Sequence, residues 1–112
     1  MDRQPQFIDR IIELVSPEKI ILFGSRARGN ATEMSDYDLL ILKKDLISNR
    51  MTAQMLYKEL LPFRVAVDLI VDTPENYDKY KSEKSFIYYQ INKSGIVIYE
   101  KKRNSAAVDQ KG

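Results

Sequence analysis

The sequence predicts a small α/β layer fold, a mixed sheet of about four strands alternating with helices. Three observations carry this. Apolar residues recur at helical spacing in residues 7–15, 46–61 and 83–93. Four short runs rich in β-branched residues, KIILF, YDLLIL, RVAVDLIV and IVIY, fall between and around those segments. The chain has 112 residues, 44% hydrophobic and 30% charged, which suits one core and leaves no room for two.

The elements follow in order. Phe7, Ile8, Ile11, Ile12 and Val15 share one helical face, with Asp9, Arg10 and Glu13 opposite, and the helix stops before Pro17. Residues 19–23 read as a buried strand broken by Gly24 and Ser25, with a short helical turn at Arg26–Arg28. Residues 26–35 are small and polar, with Gly29 and Asn30 as turn formers. A second strand covers residues 37–42. A helix over residues 46–61 places Ile47, Met51, Met55, Leu56 and Leu60 on one face, with both methionines as core filler, and closes at Pro62. The third strand spans 64–71, and residues 74–81 have no clear preference. A helix over 83–93 ends at Gly95, and the fourth strand takes 96–99. One domain is expected over residues 1–100, followed by a basic, disordered tail at 101–112.

Composition narrows the chemistry. No apolar run approaches the roughly 20 residues of a membrane span, and the polar start, Met1 to Gln6, does not resemble a signal peptide. The absence of Cys removes disulfides and thiolate sites and is consistent with the cytoplasm. The absence of His means that a metal site must use oxygen ligands, which favours Mg²⁺ or Mn²⁺ over Zn²⁺. Lys101, Lys102, Arg103 and Lys111 account for the basic charge, leaving 14 basic and 15 acidic residues in the first 100. That balance argues against a nucleic-acid-binding face.

The informative constellation is Gly24-Ser25, then ten residues, then Asp36-Tyr37-Asp38, with Asp68 on a later strand. Side chains two apart in a strand point the same way, so Asp36 and Asp38 would converge if the strand begins at or before Asp36. Asp68 stands among Val65, Ala66, Val67, Leu69, Ile70 and Val71, where a buried carboxylate is costly without compensation. Three clustered acids repel one another, and a divalent cation relieves that. Gly24 lets an anion approach closely, Ser25 can join the free N–H groups of the following turn, and Arg26 and Arg28 can add charge-assisted contacts to a phosphate. Either half alone is usually a turn or a solvated strand end; the combination is what points to a site.

GSRARGNATEMSDYDL resembles the signature of the DNA polymerase β-like nucleotidyltransferase superfamily, and the likeness runs over about residues 7–100. The short length, the Asp in VAVDLIV and the closing KSGIVIYE are similar to the minimal nucleotidyltransferases, small prokaryotic proteins often paired with a HEPN-domain partner. The resemblance implies a mixed sheet with helices mainly on one face. It implies Gly24 and Ser25 on the triphosphate, and Asp36, Asp38 and Asp68 as metal-ligating catalytic carboxylates for two Mg²⁺ ions, with Mn²⁺ as a substitute. ATP would be the substrate, AMP the group moved to a hydroxyl, and a HEPN-type toxin the acceptor, silenced by this antitoxin. Tyr88, Tyr89 and their helix are the first place to seek that interface. The rival reading is a binding module that caps its partner without catalysis; a homo-oligomer is compatible with either.

Overall fold

The computed structural model describes residues 4–102. Helix α1 (Gln6–Val15) leads into β1 (Lys19–Phe23), a one-turn helix α2 (Gly24–Arg28) and β2 (Tyr37–Leu42). Then come α3 (Asn49–Leu60), a 3₁₀ turn (Leu61–Phe63), β3 (Val67–Asp72), α4 (Pro74–Tyr80), α5 (Ile87–Ser94) and β4 (Ile96–Glu100). The strands form one mixed sheet in the order β3-β2-β1-β4. β1 is antiparallel to both β2 and β4, while β2 and β3 run parallel.

Strand alternation divides the core into two layers. Ile20, Leu39, Ile41, Leu69 and Val71 face Phe7, Ile8, Ile11 and Val15 of α1 and Leu56 and Leu60 of α3. Ile21, Leu40 and Leu42 face the other way, onto Tyr77 of α4 and Tyr88 and Ile91 of α5. The two longest helices thus cover one face and two shorter ones the other, and central β2 is buried on both sides from Leu39 to Leu42.

The strands at 19–23 and 37–42 fall where periodicity places them, whereas several other ends move for local reasons. α3 starts at Asn49 because Ser48 caps it, its hydroxyl accepting from Met51 N–H at 3.1 Å. Ile47 therefore lies ahead of the helix and is 99% exposed, and Met51 is 67% exposed, so neither fills the core; Met55 packs at its margin. β3 begins at Val67 because Arg64, at φ 52°, closes the 3₁₀ turn first. The undecided stretch at 74–81 is α4, with Pro74 in its first turn and Thr73 capping through Asn76 N–H at 3.1 Å. α5 starts at Ile87, after a turn in which Phe86 N–H donates to Glu83 O at 2.9 Å.

Gly95 does follow α5, but in an extended conformation, so a left-handed cap is not its purpose. A Cβ there would stand 2.5 Å from Ile91 O and 2.7 Å from Ile21 Cγ2, so lack of space is what requires glycine. Lys101, expected in the tail, is held to the sheet: its N–H donates to Glu18 O at 2.9 Å. The rest of the expected tail, from Arg103 on, lies outside the described residues.

Candidate active site

Three strand ends meet at one corner of the sheet. Antiparallel register sets Phe23, the last residue of β1, beside Asp38, and parallel register sets Asp38 directly beside Asp68. Asp38 shares its face of β2 with Leu40, and Asp68 shares its face of β3 with Ile70, so both carboxylates lie on the α5 side of the sheet. Asp36 precedes the strand: the ladder opens at Tyr37, whose N–H donates to Ala66 O at 2.9 Å. It is exposed at the same corner.

Gly24 closes the corner from above. Its φ is +74°, in the region that favours glycine, and a Cβ there would overlap the Asp38 carboxylate and stand 2.9 Å from Asp38 Cγ. The glycine of the motif is thus required by the aspartate fourteen residues later, a reason that sequence reading alone attached only to a ligand.

The electrostatics are those of crowded acids. Burial pushes the Asp38 carboxyl up from its ordinary range, the charges of Asp68 and Asp36 push it further, and Arg28 opposes them. Among the described residues no three acidic side chains close into one metal-holding cluster. The donor chemistry nonetheless fits a hard divalent cation: paired carboxylates, no nitrogen or sulfur ligand, and a repulsion that a cation would relieve.

Asp68 corrects the sequence reading. It was expected in the middle of a buried strand, yet it is the second residue of β3 and is exposed, because the strand starts late and its first residues stand at the open corner. Its position beside Asp38, not its burial, brings it into the site. The buried carboxylate of this strand is Asp72, 7% exposed, which sequence reasoning passed over. Asp72 accepts from Thr73 N–H at 2.7 Å, Asn76 Nδ2 at 2.6 Å, Asn49 Nδ2 at 3.3 Å and Tyr88 Oη–H at 2.5 Å. Burial opposes its ionisation, but these four donors outweigh burial and hold the carboxyl below its ordinary range. The Asp72-Thr73-Pro74 run, a strand end leading into a helix cap, was the available signal.

The two arginines part company. Arg28 faces Asp38. Arg26, expected on a phosphate, donates from Nε and Nη2 to Ser35 O at 3.2 and 2.9 Å, and its guanidinium carbon sits 4.0 Å from the centroid of the Tyr37 ring. Ser25 is half-buried, and its carbonyl accepts from Asn30 N–H at 3.2 Å. Tyr88, expected near an interface, is buried and bonded to Asp72, an internal anchor of α5; burial and that carboxylate both push its hydroxyl above its ordinary range.

Residues 6–104 match the family described as "Polymerase beta, Nucleotidyltransferase". The chain is 38% identical over 82 residues to the "Putative protein adenylyltransferase" of Methanocaldococcus jannaschii, a stretch that covers 73% of this chain and 78% of that one. A second protein of that name and organism is 45% identical over 42 residues, covering 38% of this chain and 29% of its own length. Among solved structures, a toxin-antitoxin with AMP-PNP superposes with a TM-score of 0.60 at 21% identity, covering 95% of this chain and 81% of that one. A "putative nucleotidyltransferase" from Sulfolobus solfataricus gives a TM-score of 0.58 at 22% identity, covering 88% and 82%. At those identities the structural likenesses speak for the fold.

Proposed function

This chain belongs to the polymerase beta nucleotidyltransferase family, and from that premise we propose that it transfers AMP from ATP to a hydroxyl of a partner protein, a HEPN-type toxin, which it thereby silences in the cytoplasm. The observation that carries the reading is the corner itself: Asp38 set beside Asp68 by strand register, under a glycine whose missing Cβ makes room for the carboxylate. The relatives support the choice of a protein acceptor and an adenine nucleotide, since they are a "Putative protein adenylyltransferase" and a toxin-antitoxin with AMP-PNP.

Asp36, Asp38 and Asp68 would hold divalent cations, Mg²⁺ or in its place Mn²⁺. Two such ions would supply charge stabilisation on the attacking and leaving oxygens. Asp68 would take the proton of the incoming hydroxyl, a role its exposure at the corner supports. The hydroxyl oxygen forms a bond to the α-phosphorus, and the bond from that phosphorus to the bridging oxygen breaks, so pyrophosphate leaves. Gly24 and Ser25 receive the triphosphate at the start of α2, and Arg28 stands close enough to Asp38 to balance charge there.

Mass spectrometry of the partner after incubation with this chain, ATP and Mg²⁺ tests the reading. A gain of one AMP, lost with chelator or with Asp36→Asn, is expected. A partner that gains no mass yet is still inhibited by Asp36→Asn would make the protein a cap instead of an enzyme.

A further inference from the structure

Asp36 is the one acid of the corner outside the strand ladder, at the end of a loop that leaves α2 at Gly29. That loop ends in a small, internally bonded turn. Ser35 N–H donates to Thr32 O at 3.1 Å, Thr32 N–H to Ser35 Oγ at 3.0 Å and Met34 N–H to Thr32 Oγ1 at 3.1 Å. Such a turn keeps its own shape but does not say where it sits on the protein.

Arg26 supplies the connection. Its Nε and Nη2 converge on the carbonyl of Ser35, Nη2 also reaches Thr32 O at 3.5 Å, and its guanidinium carbon sits over the ring of Tyr37. Ser35 and Tyr37 are the two residues that flank Asp36. The Tyr37 ring is in turn held edge-on by Phe7 of α1, with centroids 5.0 Å apart. We propose, resting on the transfer function above, that Arg26 is a positioning residue: it holds the Ser35 carbonyl on one side of Asp36 and the Tyr37 ring on the other, and so presents that carboxylate to Asp38 and to a cation. It is not a phosphate ligand.

The chemistry explains why arginine stands there. A planar fork can place two donors on one oxygen and still lie over an aromatic ring, and a lysine ammonium can do neither in the same geometry. A phosphate contact is less exacting: arginine can bind it bidentately, but lysine also serves there as a point charge.

Amide hydrogen exchange, Mn²⁺ binding without nucleotide, and ATP binding in chelator, measured on wild type, Arg26→Lys and Arg26→Gln, test this. Both variants are expected to exchange faster at residues 30–36 and to bind Mn²⁺ about 10–100-fold more weakly, the usual cost of losing a group that orients a ligand. ATP binding in chelator should match wild type, and lysine should rescue nothing. Unchanged exchange at 30–36 in both variants overturns the proposal. So does ATP binding in chelator that is weakened in both variants, or in Arg26→Gln alone with Arg26→Lys restoring it; either would make Arg26 a phosphate contact. A wild-type chain that binds neither Mn²⁺ nor ATP would sink the transfer function instead, while the exchange data would still decide the role of Arg26.

Discussion

Asp68 and Asp72 occupy the same face of one strand, four residues apart, and live in opposite environments. Asp72 is buried and receives four donors from α3, α4, α5 and the strand end, so its charge is satisfied where it stands. Asp68 is exposed, and its neighbour across the parallel ladder is another acid, Asp38, whose carboxyl is driven up by burial and by the surrounding negative charge. The four bonds to Asp72 tie the fold together, and the Asp38–Asp68 pairing leaves a charge problem for a ligand to solve. Burial alone would mark Asp72 as the costly carboxylate; the completeness of its partners marks it as structural, and the lack of such donors among the described residues leaves Asp68 as the candidate for a ligand.

If that distinction is right, removing acids at the two places should have opposite consequences. The largest effect expected is on transfer: Asp38→Asn or Asp68→Asn should lower the rate by at least about 100-fold, the scale for disturbing a metal ligand, with no loss of thermal stability in chelator. Gly24→Ala should be as damaging, because the added Cβ meets the Asp38 carboxylate at a strained φ of +74°. Steady-state transfer assays beside melting curves check both. A Gly24→Ala enzyme of normal rate would show that the corner is looser than its geometry.

Next in size is Asp72→Ala. It strands Thr73 N–H, Asn76 and the Tyr88 hydroxyl, which should cost on the order of 3 kcal/mol, or roughly 10–20 °C in Tm for a domain of this size. Transfer per folded molecule should survive at low temperature. A loss of transfer without a loss of stability would reverse the roles of the two aspartates. Tyr88→Phe, which removes one donor, should cost about 1.5 kcal/mol.

How much of this was legible in advance follows the same line. β1 and β2 were readable to the residue because their apolar runs end at a Gly-Ser turn and a polar loop. The candidate corner could be picked out as a pattern because Gly24-Ser25 and Asp36-Tyr37-Asp38 lie close together in the sequence. Asp68 was selected for the wrong reason: apolar neighbours in sequence suggested burial, but only the delayed start of β3 after Arg64 decides that the residue stands at the corner. Asp72 was missed because its donors come from residues 49, 73, 76 and 88, a convergence that no local window contains. Met51 and Ile47 were misplaced because the cap at Ser48, not the apolar period, sets the phase of α3.

The pH dependence carries opposite signs at the two places. The Asp72 carboxyl is held below its ordinary value of 3.8 in the folded protein, so its contribution is fully present above that value and drains away as pH falls below it through the lower folded value. The Asp38 carboxyl is raised above 3.8, so its ionisation erodes stability as pH climbs past that value. Urea titrations between about pH 3 and 7 should therefore show a weakened acid limb in Asp72→Asn, and in Asp38→Asn a protein firmer than wild type at neutral pH. Identical pH profiles in both variants would remove the distinction. The smallest effect expected is at exposed Met51, where Met51→Gln should change stability by no more than about 0.5 kcal/mol.

The most direct measurement is the melting temperature of wild type, Asp38→Asn and Asp72→Asn as Mn²⁺ is titrated without nucleotide. Wild type and Asp72→Asn should both gain stability with the ion, from different starting points, since a cation that binds the folded state raises Tm by mass action. Asp38→Asn should start higher than wild type and gain nothing. A gain in Asp38→Asn equal to that of wild type would contradict the assignment of the corner as a cation-dependent transfer site.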